Sequence, residues 1–141
     1  MAERVSTPGG AQAEFLRVLA GHLQRWDLVP VDVSSDHAGG WRLHVFSGWS
    51  GCDVSAGLVG WARSFGVAEL AVQPLPAQVN VAFSAALGGC AVGVWGCVDP
   101  LREAMGLTEL HTTVTVAELA YFAEHGAMPA RRGPAGGGVL R

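Results

Sequence analysis

The residues of this sequence whose types best suit catalysis are Cys52 and His111. Cys52 follows a glycine-rich stretch, residues 47–51, and opens a segment with helical spacing of apolar residues. The amide dipoles at a helix N-terminus favour the thiolate form of cysteine, which is the reactive nucleophile. His111 lies on a later predicted strand, from about Glu109 to Val114, and histidine is the usual base that activates such a thiol. The pair predicts, as one alternative, a thiol hydrolase.

The order of these two residues resembles that of papain-like peptidases, in which a cysteine opens a helix and a histidine lies on a later strand. The segment SGCDVSAGLVGWARSFG is also similar to the Asp-Cys-Ser-Gly-Leu helix start of NlpC/P60 hydrolases. This resemblance implies Cys52 as the nucleophile and His111 as the base. Here Cys52 is followed by Asp53-Val54 instead of Ser-Gly-Leu, and the strand reads HTTV instead of His-Val-Gly-Ile.

The cysteines do not have the spacing of a metal site. Cys90 and Cys97 are separated by an odd number of positions on one predicted strand, so their side chains point to opposite faces. The sequence contains no CxxC and no HxxxH pair. We therefore expect no metal and no cofactor.

The five tryptophans suggest a different function. Trp26, Trp41 and Trp61 fall on apolar stripes and are predicted to be core. Trp49 lies in the glycine-rich stretch, and Trp95 lies among small residues on a predicted strand, where tryptophan often anchors a protein partner. A helix of the same chain could instead cover these side chains, or the two could line a small-ligand pocket. The predicted partner-binding residues are Trp95, Trp49, Ala82 and Ser84.

The segment Val79–Val98 positions Trp95 and predicts a β-hairpin. Gly88-Gly89 separates two alternating runs, and a tight hairpin turn requires positive φ angles that glycine adopts freely. Closing the turn there pairs Trp95 with Ala82. One face is then apolar and must be core: Val79, Val81, Phe83, Ala85, Leu87, Cys90, Val92, Val94 and Val98. The other is small and nearly uncharged, so we expect it to be covered too: Asn80, Ala82, Ser84, Ala86, Ala91, Gly93, Trp95 and Cys97.

Three amphipathic helices are predicted around this hairpin. The first covers Ala11–Trp26, with His22 packed at the edge of its apolar stripe. The second follows Cys52 and ends at Gly66, and its apolar stripe is Val54, Leu58, Trp61 and Phe65. The third covers Val116–His125, where Thr115 and Glu118 match a capping box.

The predicted order of elements is α-β-β-α-β-β-β-β-α. It indicates an α+β fold with a mostly antiparallel sheet of five to six strands packed against two or three helices. Residues 11–126 form the expected single domain, with 1–10 as a flexible arm and 127–141 as a disordered tail. The order of elements, though no motif, resembles profilin-like domains of the roadblock type.

Charge and hydropathy exclude several classes of function. The net charge of −3 gives no basic surface for nucleic acid. No apolar run approaches the roughly 20 residues needed to span a bilayer, and the N-terminus lacks a secretory pattern, so we expect a cytoplasmic protein with no membrane partner. The leading hypothesis is a small non-catalytic regulatory or protein-interaction module that binds another protein or itself, as a homodimer, through a sheet face.

Overall fold

The computed structural model describes residues 8–36, 39–46 and 51–130, without the side chains of residues 8, 51 and 52. The predicted α+β class is confirmed. The helix α1 begins earlier than expected, so residues 8–10 of the predicted arm are helical. The elements are α1 Pro8–Trp26, β1 Val31–Ser35, β2 Trp41–Val45, α2 Gly51–Ser64, β3 Glu69–Pro74, β4 Val79–Leu87, β5 Cys90–Cys97, α3 Leu101–Ala104, β6 Thr112–Thr115 and α4 Val116–His125.

The six strands form one sheet in the order β1-β2-β5-β4-β3-β6. Strands β2 and β5 pair in parallel, and the other four pairings are antiparallel. The sheet is therefore mostly antiparallel, as predicted. Pro30, which has no amide hydrogen to donate, directly precedes β1, and β1 lies at an edge of the sheet.

The central hairpin has the predicted register. Gly88 and Gly89 form its turn with φ angles of 59° and 80°. Leu87 pairs with Cys90, and Ala82 pairs with Trp95. The turn chemistry of two glycines thus determines which side chains of β4 and β5 share a face.

The described long helices pack on one side of the sheet, which we call the core face. Helix α2 lies directly on β5 because Gly96 has no side chain: a Cβ there would be 2.7 Å from Val54 Cγ1 and 2.8 Å from the carbonyl oxygen of Val45. Helix α1 contacts β2, where the rings of Phe15 and Trp41 stack with centroids 4.5 Å apart. Helix α4 adds two fully buried side chains, Leu119 and Phe122.

The beginning and end of α4 also match the sequence analysis. Thr115 Oγ1 accepts a hydrogen bond from the amide of Glu118 (3.0 Å), and the amide of Thr115 donates to Glu118 Oε1 (2.9 Å). This capping box is the predicted one, and Gly126 ends the helix with a φ of 71°. None of the helices in the described residues is both long and apolar enough to cross a lipid bilayer.

Two sequence predictions about the elements were wrong. Trp26 was placed in the core, but it is 48% exposed and is the last residue of α1. The last strand was predicted from Glu109 to Val114, but it covers Thr112–Thr115. The reason is that Thr112 is the first residue that pairs with β3, through Val72.

Candidate interaction surface on the open sheet face

The side of the sheet opposite the core face carries the candidate site, and we call it the open face. Every residue on it is exposed or half-buried, whereas the core-face residues Leu43, Val81 and Val94 are completely buried. Alternation along the strands and the strand register assign its members: Asp32, Ser34, Arg42, His44, Glu69, Ala71, Gln73, Asn80, Ala82, Ser84, Ala86, Ala91, Gly93, Trp95, Cys97 and Thr113.

A stack of aromatic and basic side chains stands on this face. His44 lies beside Trp95 in the parallel pairing of β2 and β5, and their rings stack with centroids 4.0 Å apart and planes 8° apart. The guanidinium of Arg42 lies 5.4 Å from the centre of the same indole ring, a cation–π contact. Phe46, which is 48% exposed, also lies near His44, with ring centroids 5.9 Å apart. These contacts restrict the orientation of the Trp95 side chain.

A trough runs along the open face beside this stack. Its floor is made of small residues, including Ala82 and Gly93, and its volume is about 380 Å³. Arg42 and Trp95 form one wall, and Glu69 lies on the other side. Within the described residues, neither Arg42 nor Glu69 forms an ion pair. The open face therefore presents the stack of side chains around Trp95, the trough beside it, and two opposite charges, Arg42 and Glu69, that form no ion pair within the described residues.

The structure brings three of the four predicted partner-binding residues together. Trp95 is paired with Ala82, and Ser84 lines the same trough. Trp49 lies outside the described residues. The ligand pocket that would need both tryptophans consequently stays a prediction.

Sequence reasoning missed Arg42, His44, Phe46 and Glu69 as members of this surface. One signal was present: Arg42, His44 and Phe46 alternate with the core residues of β2, so they share a face. What placed that face beside Trp95 is the β2–β5 pairing, which no local pattern indicates.

The proposed catalytic pair is only partly within the described structure. Cys52 lies in the first turn of α2, as the hydrolase resemblance requires, but its side chain lies outside the described residues. His111 is exposed and directly precedes β6, at the edge of the sheet farthest from β1. The roles of Cys52 as nucleophile and His111 as base stay predictions.

The cysteines of the central hairpin differ in their surroundings. Cys90 packs against the core, whereas Cys97 lies on the open face and its thiol donates to Asn80 Oδ1 (3.5 Å). Burial raises the pKa of Cys97, and the carboxylate of Asp99 raises it further. This thiol therefore stays protonated at neutral pH and is a poor nucleophile. No group of three His, Cys, Asp or Glu side chains suited to a metal occurs in the described part of the chain.

A wider depression of about 710 Å³ lies between α3 and the end of α4. Two of its polar side chains, Asp99 and Arg102, already form hydrogen bonds within the fold. Asp99 Oδ1 accepts a hydrogen bond from the amide of Val79 (2.9 Å), and Arg102 donates to the carbonyl oxygens of Leu75 and Gln78. These contacts leave the open face as the better candidate site.

His22 was predicted to be a packed residue of α1, and its contacts agree. Its ring stacks on Phe65 with centroids 4.5 Å apart. The hydroxyl of Ser64 donates its one hydrogen to the carbonyl oxygen of Trp61 (2.7 Å), so its oxygen accepts from His22 Nε2 (2.8 Å). Burial lowers the pKa of His22, and the positive charge of Arg25 lowers it further.

This environment predicts a pH-dependent stability. Because the pKa of His22 is lower in the folded than in the unfolded state, the unfolded chain binds more protons, and the free energy of unfolding falls as the pH drops below about 6.5. We expect His22→Gln to make this acid-side loss smaller. Urea denaturation at neutral and mildly acidic pH measures how steeply the free energy of unfolding changes with pH in the unchanged protein and in His22→Gln. Equal slopes for the two proteins would show that His22 does not contribute.

Comparison of the chain with protein-family models, with curated proteins and with solved structures gave no match.

Proposed function

We propose that this chain is a small non-catalytic protein-interaction module that binds a second copy of itself through the open face. The observation that carries the proposal is the Trp95 stack on a sheet face of small residues that no described helix covers. The uncovered face makes the sheet itself the contact surface.

The chemistry of the face supports a protein partner. Trp95 is half-buried by His44 and Arg42, so its orientation is already restricted before binding. A rigid aromatic side chain beside a trough gives large contact area with little loss of conformational entropy. Exposed apolar surface next to polar groups is typical of protein-binding sites.

The charges on the face also favour a protein over a polyanion. Arg42 and His44 lie on β2, whereas Glu69 lies on β3 and Asp32 on β1. Basic and acidic side chains are therefore interspersed across the open face. A nucleic acid or an anionic lipid surface would instead require a continuous basic surface.

Replacing Trp95 with alanine tests the proposal. The side chain points away from the core, so we expect Trp95→Ala to keep the fold while weakening self-association by at least about 30-fold, the effect of losing a hot-spot residue of about 2 kcal/mol. Sedimentation equilibrium over a range of protein concentrations measures association, and circular dichroism checks the fold.

Trp26→Ala is the matched control, because Trp26 is a 48% exposed tryptophan at the end of α1, away from the open face. We expect it to associate like the unchanged protein. If the unchanged protein sediments as a monomer at all concentrations, or if Trp95→Ala associates as tightly as Trp26→Ala does, the proposed function is wrong.

A further inference from the structure

We infer that two copies of the chain pack open face to open face about a two-fold axis that runs parallel to the strands, between β4 and β5. This inference rests on the proposed function and adds the arrangement of the partner. It follows from the order of the strands and from the register of the side chains across them.

The register divides the centre of the open face into two rows that cross the strands. One row contains His44, Trp95, Ala82 and Ala71, on β2, β5, β4 and β3 in that order. The neighbouring row has Arg42 on β2 at one end and Glu69 on β3 at the other. Glu69 lies on the open face two positions before Ala71. The β2–β5 half of each row therefore has large or basic side chains, except for Gly93 beside Arg42. The β4–β3 half of each row has small or acidic side chains.

A two-fold axis along the strands places complementary halves opposite each other. It lays β5 on β4 of the second copy and β2 on β3 of the second copy, with the rows in register. Each Trp95 then lies over Ala82 of the other copy, which lines the trough. Each Arg42 faces Glu69 of the other copy, so both unpaired charges gain a partner twice per dimer.

The other in-plane axis, perpendicular to the strands, does not give this match. It lays β2 on β2 and β3 on β3. Arg42 then lies over β2 of the second copy and Glu69 lies over β3 of the second copy, so neither charge faces the opposite charge. Opposite charges across an interface favour binding, so the charges favour the axis along the strands.

The size of the face fits a dimer that dissociates on dilution. Six strands about 4.8 Å apart and about five residues long, at about 3.3 Å per residue, give about 500 Å² per copy. Two copies together bury about 1,000 Å², the lower limit for a specific interface. Sheets packed face to face cross at about 30°, which moves Arg42 of one copy sideways from Glu69 of the other. The long side chains of these two residues can span that offset.

A charge exchange tests the arrangement. We expect Arg42→Glu and Glu69→Arg each to weaken homodimerisation at least tenfold at low salt, because each dimer then contains two like-charge contacts. Mixed in equal amounts, the two variants are expected to form a heterodimer in which both contacts are attractive. Sedimentation velocity of each variant and of the mixture measures this, and a chain with both substitutions should dimerise again.

The control is Arg17→Glu, which reverses an exposed charge on α1 and should leave the dimer unchanged. A variant that had merely unfolded would not be rescued by mixing. If Trp95→Ala dissociates the dimer but the charge variants do not, or if their mixture stays monomeric, the arrangement is wrong and the proposed function stands. If the Trp95 test itself fails, the proposed function fails with it.

Discussion

Trp61→Ala is expected to lower the free energy of unfolding by about 4 kcal/mol. Trp61 is completely buried and is the largest side chain in the core. Its indole Nε1 donates to the carbonyl oxygen of Val29 (3.1 Å), which ties α2 to the connection between α1 and β1. Alanine would remove both the packing and the donor and leave a cavity between the helices.

Urea denaturation followed by far-ultraviolet circular dichroism measures this loss, and Trp26→Ala is the comparison. Trp26 is 48% exposed, so its replacement should change the free energy of unfolding by no more than about 0.5 kcal/mol. Similar losses for the two variants would contradict the described packing of α1 and α2.

Gly96→Ala is expected to destabilise the protein by about 3 kcal/mol, the upper end of the usual cost of overpacking a core. The added methyl group would lie 2.7 Å from Val54 Cγ1 and 2.8 Å from the carbonyl oxygen of Val45. Val54 is a buried β-branched residue in a helix, which has one strongly preferred rotamer, and the oxygen belongs to the backbone of β2. To make room, either α2 would have to lift from the sheet or the β2–β5 pairing would have to widen.

The control for this change lies on the same strand. A Cβ at Gly93 would meet nothing within 4 Å, because this residue faces the trough on the open face. Gly93→Ala should therefore be neutral or slightly stabilising. Equal destabilisation by both variants would mean that glycine is needed for β5 itself, not for the approach of α2.

Features that depend on neighbouring residues could be predicted from the sequence. The Gly88-Gly89 turn determined the whole register of β4 and β5 because each pair follows from the one before it. The cap formed by Thr115 and Glu118 is equally local, since both hydrogen bonds join residues within one helical turn.

Features that depend on distant residues could not be predicted from the sequence. The pairing of β2 with β5 joins strands separated by a helix and two other strands, and alternation within each strand is the same whichever neighbour it has. The stack of His44 on Trp95 and the position of Arg42 follow from that pairing. Sequence reasoning therefore identified Trp95 as a candidate but not the residues that orient it.

Helical periodicity has a similar limit. Trp26 and Trp61 both fall on apolar stripes, yet one is exposed and the other is completely buried. Periodicity indicates which side of a helix faces the core but not how far the core extends along the axis. Trp26 is the last residue of α1 and is half exposed, whereas Trp61 lies inside α2 and is completely buried.

The parallel pairing of β2 with β5 also has a consequence during synthesis. Strand β2 ends at Val45, but its partner begins only at Cys90, so the ribosome must make the intervening chain before the two can meet. Until then one side of β2 has open amide and carbonyl groups, which can pair with any other strand. A nascent chain that stalls between α2 and β5 would expose this edge, and chaperones would have to shield it from aggregation.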